Sequence, residues 1–135
     1  MKFKTIYGKE KRLPYSDRYL IKWGEKSRSI FQTDVKTFLH HFWKNDLVYE
    51  EMPIVSSRLT IDLYNHTKRI AVEVQGHQHT KYVKFFHGKR KNFLEQLKRD
   101  KIKEDFAKIN EIKLVLIYPD DELSIDLFKE FNVLL

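Results

Sequence analysis

Two acids and an amide at close spacing, Asp62, Glu73 and Gln75, are the residues of this chain best suited to carry chemistry. They lie in two segments that alternate cleanly, Arg58 to Tyr64 and Arg69 to Gln75. Leu59, Ile61 and Leu63 point one way in the first, and Ile70, Val72 and Val74 in the second, the period of a β-strand. Asn65, His66, Thr67 and Lys68 between them suit a turn, so a β-hairpin is expected. Pairing across a turn at His66 and Thr67 would set Asp62 opposite Ala71, with Glu73 one diagonal step away, about 7 to 8 Å at the Cα level. Asp62, Glu73 and Gln75 would then share a face, away from the apolar residues. Carboxylates so placed repel each other. A divalent cation offsets that repulsion, since Mg²⁺ is held by one or two carboxylates together with water and phosphate oxygens. The plain alternative is a solvated outer face.

Histidines follow at once: His77 and His79, with His87 further on. Without cysteine, and without the ligand spacing of a structural site, a zinc centre is not expected. His79 suits general acid or base work, or contact with a phosphate, because imidazole has the side-chain pKa closest to neutrality.

The elements that must position these groups are readable from periodicity. From Ser29 the pattern is helical, with Phe31, Val35, Phe38, Leu39 and Phe42 at three- and four-residue steps. Ser29 and Gln32 read as a capping box at its start. Leu47 to Ile54 reads as a strand ending at Pro53 or in the loop after it. It places Glu50 and Glu51 on opposite faces, and either could supply a further acid, Glu51 being nearer the turn toward Asp62. A basic loop from Lys81 to Lys91 leads into a helix from about Asn92 to Ile109. On that helix Gln96, Asp100, Lys103 and Ala107 fall within a stripe about 60° wide, beside Phe93 and Leu97, and the apolar face then swings to Ile102, Phe106 and Ile109. Such a stripe could wall an active site; the alternative is an Asp100 to Lys103 salt bridge on a solvated face. Lys113 to Tyr118 reads as a buried strand stopped by Pro119, and Ile125 to Phe131 as a short helix. The order α, β, β, β, α, β, α implies an α/β fold, a mixed sheet with helices on its faces.

With 135 residues the chain fits one domain, and 41% hydrophobic with 14% aromatic residues is too apolar for disorder. We expect a basic amino-terminal arm over 1–28 and a single domain over 29–135. The arm interleaves Arg12, Arg18 and Arg28 and several lysines with Tyr7, Tyr15, Tyr19 and Trp23, a composition suited to phosphates and stacked bases, or equally to a surface-packed extension. Lys and Arg exceed Asp and Glu by 26 to 19, a formal charge of +7, which favours an anionic partner. The absence of cysteine excludes disulfides and thiolate metal sites and suits a reducing cytoplasm. No stretch has the length and apolarity to span a bilayer, and the basic amino terminus lacks a signal peptide's apolar core, so no membrane partner is expected.

The run IDLYNHTKRIAVEVQGHQH, an Asp followed eleven residues later by Glu-x-Gln, resembles the PD-(D/E)xK nuclease superfamily. More closely, it is similar to the very-short-patch-repair branch and related phage and homing-type endonucleases. There the acidic strand continues into a Gly and a His, here Gly76 and His79, and the next helix carries an Asp and, three residues on, a basic residue, here Asp100 and Lys103. The resemblance covers roughly 29–118. It implies a restriction-endonuclease-like mixed sheet flanked by helices. It further implies Mg²⁺ or Mn²⁺ held by Asp62, Glu73 and the Val74 carbonyl, and hydrolysis of DNA phosphodiesters. Gln75 stands in the lysine position; a neutral amide can orient water but is no base. Gln32 stands about where this branch often has a Glu. Lys81, Lys84, Lys89, Arg90, Lys91, Gln96, Arg12 and Arg28 would contact the nucleic acid. Repair, restriction, homing and junction cleavage all use this core. A decayed DNA-binding module and a basic interaction protein are the other readings. A double-strand cut would need two active sites, hence a homodimer or successive nicks.

Overall fold

The computed structural model describes residues 1–76 and 90–135, with Arg90, Asn92 and Phe93 described in the backbone alone. Helix α1 (Ile30–Trp43) starts where Ser29 stops it from extending further back: the Ser29 backbone is extended and its Oγ accepts the Gln32 N–H at 3.0 Å. This is half of a capping box, because the Gln32 side chain turns elsewhere. The buried stripe of α1 runs through Gln32, Val35, Lys36, Leu39 and Trp43, while Phe31, Phe38 and Phe42 pack at its margin. The periodic phenylalanines therefore mark the edge of the buried face, and two polar residues lie within it.

Strands β3 (Val48–Pro53), β4 (Thr60–Asn65) and β5 (Ile70–Val74) form an antiparallel meander. Helix α2 (Arg90–Ile109) precedes β6 (Lys113–Ile117), which pairs parallel to β5 and completes the sheet order β3-β4-β5-β6. A short helix α3 (Ile125–Lys129), capped by Ser124, follows. On one face of the sheet α1 and α3 bury Val35, Leu39, Trp43 and Phe128 against Leu63, Val72, Val115 and Ile117. On the other, Phe106 and Ala107 of α2 meet Tyr49, Tyr64 and Ala71. The mixed α/β architecture is as the element order implies. Among the described residues, no helix is long and apolar enough to cross a membrane.

The segment expected as an arm is woven into this second face. Strands β1 (Lys2–Lys4) and β2 (Glu10–Arg12) pair antiparallel, and Phe3 and Leu13 are buried with Tyr64 and Phe106. Asn110, at the end of α2, fastens β1 by bonding both the N–H and the carbonyl of Lys4, at 2.8 and 2.9 Å. A short 3-10 turn (Ser16–Tyr19) then leads to Leu20, which bridges to Tyr49, and to Ile21, whose N–H donates to the Val48 carbonyl at 3.0 Å. Arg12 lies exposed on β2. Phe106 is buried as the swing of the apolar face implies, but two expectations for α2 need correction: Leu97 is exposed, and Ala107, expected in the polar stripe, is buried in the core.

Candidate active site

The hairpin turn spans four residues, not two. Asn65 Oδ1 accepts the Lys68 N–H at 2.8 Å and Arg69 adopts a left-handed φ of 58°, so the last pair is Asn65 with Ile70. Tyr64, rather than Asp62, pairs with Ala71. The shift is by two positions, which leaves strand parity unchanged and brings Asp62 across from Glu73, although Leu59 and Ile61 pack with Tyr64 and Ala71 while Leu63 packs in the other layer. The last registered pair toward the site is Leu63 with Val72. Beyond it, side chains replace the backbone ladder: Glu73 Oε2 accepts the Asp62 N–H and Asp62 Oδ2 accepts the Val74 N–H, each at 2.8 Å. The other side of β5 remains paired with β6, and the Gln75 N–H donates to the Ile117 carbonyl at 2.8 Å.

This face is not a solvated one. Asp62 is 3% exposed and Glu73 4%. Two buried carboxylates need cations, and the chain supplies one to each. Lys103 of α2 bonds Glu73 Oε1, and Arg28 Nη2 donates to Asp62 Oδ1 at 2.8 Å. Burial, and then the Asp62 charge, push the Glu73 carboxyl up to about 7, although Lys103 and the Asp62 amide pull the other way. Arg28 also reaches Glu51 Oε1 with its Nε at 3.4 Å. Glu51 holds a left-handed φ of 52° within β3, a conformation that costs on the order of 1–3 kcal/mol.

The carboxylates open onto a cleft of about 350 Å³ walled by α2. Val74, Gln75, Gly76, Gln96, Arg99, Asp100 and Lys103 line it with Arg28, Asp62 and Glu73. The polar stripe of α2 is thus the cleft wall: Gln96 Nε2 donates to Asp100 Oδ1 at 2.9 Å, and Lys103 pairs with Glu73 instead of Asp100. Sequence reasoning missed Arg99, which donates to Gln96 Oε1 at 3.0 Å and whose place one step from Asp100 gave no periodic signal. Arg12 and Lys91 lie outside the cleft, Lys91 beside Leu94, Glu95 and Lys98. His77, His79, Lys81, Lys84, His87 and Lys89, and the side chain of Arg90, lie outside the described residues.

Gln32 stands behind the cleft rather than in it. Its Nε2 donates to Glu50 Oε2 at 2.9 Å and to Glu51 Oε1 at 3.0 Å. Lys36, 2% exposed, joins Glu50 Oε1 at 3.0 Å and the Glu25 carbonyl at 2.9 Å, and Ser27 Oγ bonds Glu50 as well. Burial works against the Glu50 charge, but the bonds from Ser27, Lys36 and Gln32 hold its carboxyl below the usual range. A charged relay therefore runs from Lys36 through Glu50, Gln32, Glu51 and Arg28 to Asp62. The signal for it was a lysine one turn after Gln32 on an apolar helix face.

Among the described residues, no group of three or more His, Cys, Asp or Glu side chains is arranged to hold a metal ion. Mg²⁺ asks for less: one or two carboxylates, with water and substrate oxygens completing its shell. Asp62 and Glu73 are two neighbouring carboxylates beside a cleft, and the Glu73 carboxyl is raised first by burial and then by the Asp62 charge. Compared with protein-family models, with curated proteins and with solved structures, the chain matches none.

Proposed function

We propose that this chain is a metal-dependent DNA endonuclease with a restriction-endonuclease-like fold of the PD-(D/E)xK type. The observation that carries the proposal is the pair of buried, facing carboxylates, Asp62 and Glu73, set across two strands at the floor of a cleft that also presents Lys103, Arg99 and Arg28. Acids alone would repel a phosphodiester, and cations alone would bind it without hydrolysing it; the cleft combines both. The mixed sheet with helices on each face agrees with the resemblance in the strand sequence.

In this mechanism Asp62, Glu73 and the Val74 carbonyl would hold Mg²⁺ or Mn²⁺, which when bound polarises the phosphate and lowers the pKa of water. Lys103, within reach of Glu73, stabilises negative charge as it grows on the phosphate. Gln75, at the cleft edge, accepts and donates hydrogen bonds and so orients a water without taking its proton. Proton transfer is assigned to His79. Gln96 and Asp100 shape the wall, and Arg28 binds a phosphate next to the one attacked. Gln32 acts at a distance by holding Glu51. Cutting both strands would take a homodimer or two nicks.

One observation favours a second reading, a DNA-binding module without hydrolysis: each carboxylate already has both oxygens bonded, Asp62 by Arg28 and Val74, Glu73 by Lys103 and Asp62. Incubating supercoiled plasmid, branched DNA and single strands with Mg²⁺, Mn²⁺ or EDTA separates the two. Cleavage by wild type in Mg²⁺ or Mn²⁺, absent in EDTA and in Asp62→Asn, supports the enzyme. Identical behaviour of wild type and Asp62→Asn in every condition ends that reading.

A further inference from the structure

A second cleft, of about 260 Å³, lies on the other side of Arg28, between the 3-10 turn and α1. Arg28 lines both clefts, so the two adjoin at that side chain. Arg18, Lys22 and Lys26 stand exposed around the second one. Of its three acids, Glu50 pairs with Lys36 and Glu51 with Arg28, which leaves one exposed carboxylate, Glu25, against Arg18, Lys22 and Lys26. Lys22 and Lys26, by contrast, form no ion pair among the described residues. The cleft thus has unneutralised positive charge at its rim.

That rim is held in place. Leu20 and Ile21 are tied to β3, the Lys22 carbonyl takes the Glu25 N–H at 3.0 Å, and buried Lys36 grips the Glu25 carbonyl. Ser27 is fixed twice, by Thr33 Oγ1 at 3.0 Å and by Glu50. Such a segment loses little further backbone freedom on binding, which separates it from a floppy basic tail. Arg18, whose guanidinium lies 4.6 Å from the centre of the Tyr15 ring, adds a cation beside an exposed aromatic.

We infer that this second cleft is a phosphate subsite, along which the backbone of a DNA strand continues out of the catalytic cleft past Arg28. The inference rests on the proposed DNA substrate but not on hydrolysis. It gives Arg18, Lys22 and Lys26 a role in the footprint, and Arg28 the place between the attacked phosphate and its neighbours.

Fluorescence anisotropy with a labelled DNA duplex in EDTA, over a series of salt concentrations, tests it. Each neutralised phosphate contributes about 0.9 to the slope of log affinity against log salt. Lys22→Ala/Lys26→Ala is expected to lower that slope by about 2. Lys44→Ala/Lys129→Ala, the same charge change outside both clefts, is expected to leave it near the wild-type value. Equal slopes for the two double variants overturn the subsite while leaving the DNA reading intact. No binding by wild type overturns both. A lowered slope in a protein that fails to cleave in Mg²⁺ supports the subsite and removes only the hydrolysis. Displacement of DNA by inorganic phosphate at matched phosphate concentration marks a site for a single anion and overturns the strand path.

Discussion

Asp62 and Glu73 each bond the backbone of the other's strand: the Asp62 amide donates to the Glu73 carboxylate, and the Asp62 carboxylate accepts from the amide that follows Glu73. The two acids are therefore fixed by the same bonds that hold β4 and β5 together at this end. Their geometry does not depend on a bound ion.

Asp62→Asn keeps an acceptor for the Val74 N–H and removes a charge next to Glu73. The variant should fold, with a melting temperature near wild type, yet lose plasmid cleavage by about 100-fold or more, since metal-borne charge stabilisation is worth several kcal/mol. Circular dichroism and a gel assay on the same preparation measure both outcomes.

Glu73 sets a pH dependence whose sign is fixed by its environment. Its carboxyl ionises at an ordinary value of 4.5 when exposed and at about 7 in the fold. Between these values the folded chain keeps a proton that the unfolded chain has released, so stability falls as pH rises through that window, by at most on the order of 3 kcal/mol. Denaturant titrations from pH 4.5 to 8 should show the fall in wild type and a flatter profile in Glu73→Gln. Affinity for Mn²⁺ should run the opposite way, rising about tenfold per pH unit below 7 and levelling above, because the ligand form is the carboxylate.

Lys103→Met leaves Asp62 and Glu73 with one cation between them. Breaking a buried pair from one side costs about 3–5 kcal/mol. Protonation of Glu73 offsets much of that cost in acid, so the loss of stability should be larger at pH 8 than at pH 5.5. Equal losses at both pH values would show that Lys103 does not carry charge to Glu73.

Arg28 is 61% exposed but its partner Asp62 is buried, so the exposed end screens the pair while the carboxylate still loses a donor when it is removed. Arg28→Ala should lower stability modestly, by about 1–3 kcal/mol. It should, however, raise Mn²⁺ affinity a few-fold in the absence of DNA, since Asp62 Oδ1 no longer has a competing partner, and lower DNA affinity. Calorimetric titration of Mn²⁺ with and without a DNA duplex reads the two effects separately.

Much of this fold is legible in the sequence where one signal dominates. The start of α1 follows from Ser29 and the strand β6 from the unbroken apolarity of its last four residues, Leu114 to Ile117. The face of Asp62 and Glu73 follows from strand parity alone, which a two-residue change in register leaves untouched. The register itself depends on Asn65 turning its side chain onto Lys68, a choice among turns that composition does not make. β1 and β2 are three residues each, too short for alternation to emerge, and their place is set by distant partners, Asn110 and Tyr64. Within the candidate site, the acids and the Gln96, Asp100, Lys103 wall could be found from spacing. Arg28 could be singled out only as one basic residue among many, because its pairing with Asp62 is a tertiary contact across thirty-four positions.

The exchange of side chains for ladder bonds between β4 and β5 also turns two backbone amides into reporters. The N–H protons of Asp62 and Val74 point at carboxylate oxygens, so their NMR frequencies track the charge on those oxygens directly. In a titration with Mg²⁺ or acid these two resonances should move first and furthest, giving a residue-level view of ion occupancy without any label placed in the cleft.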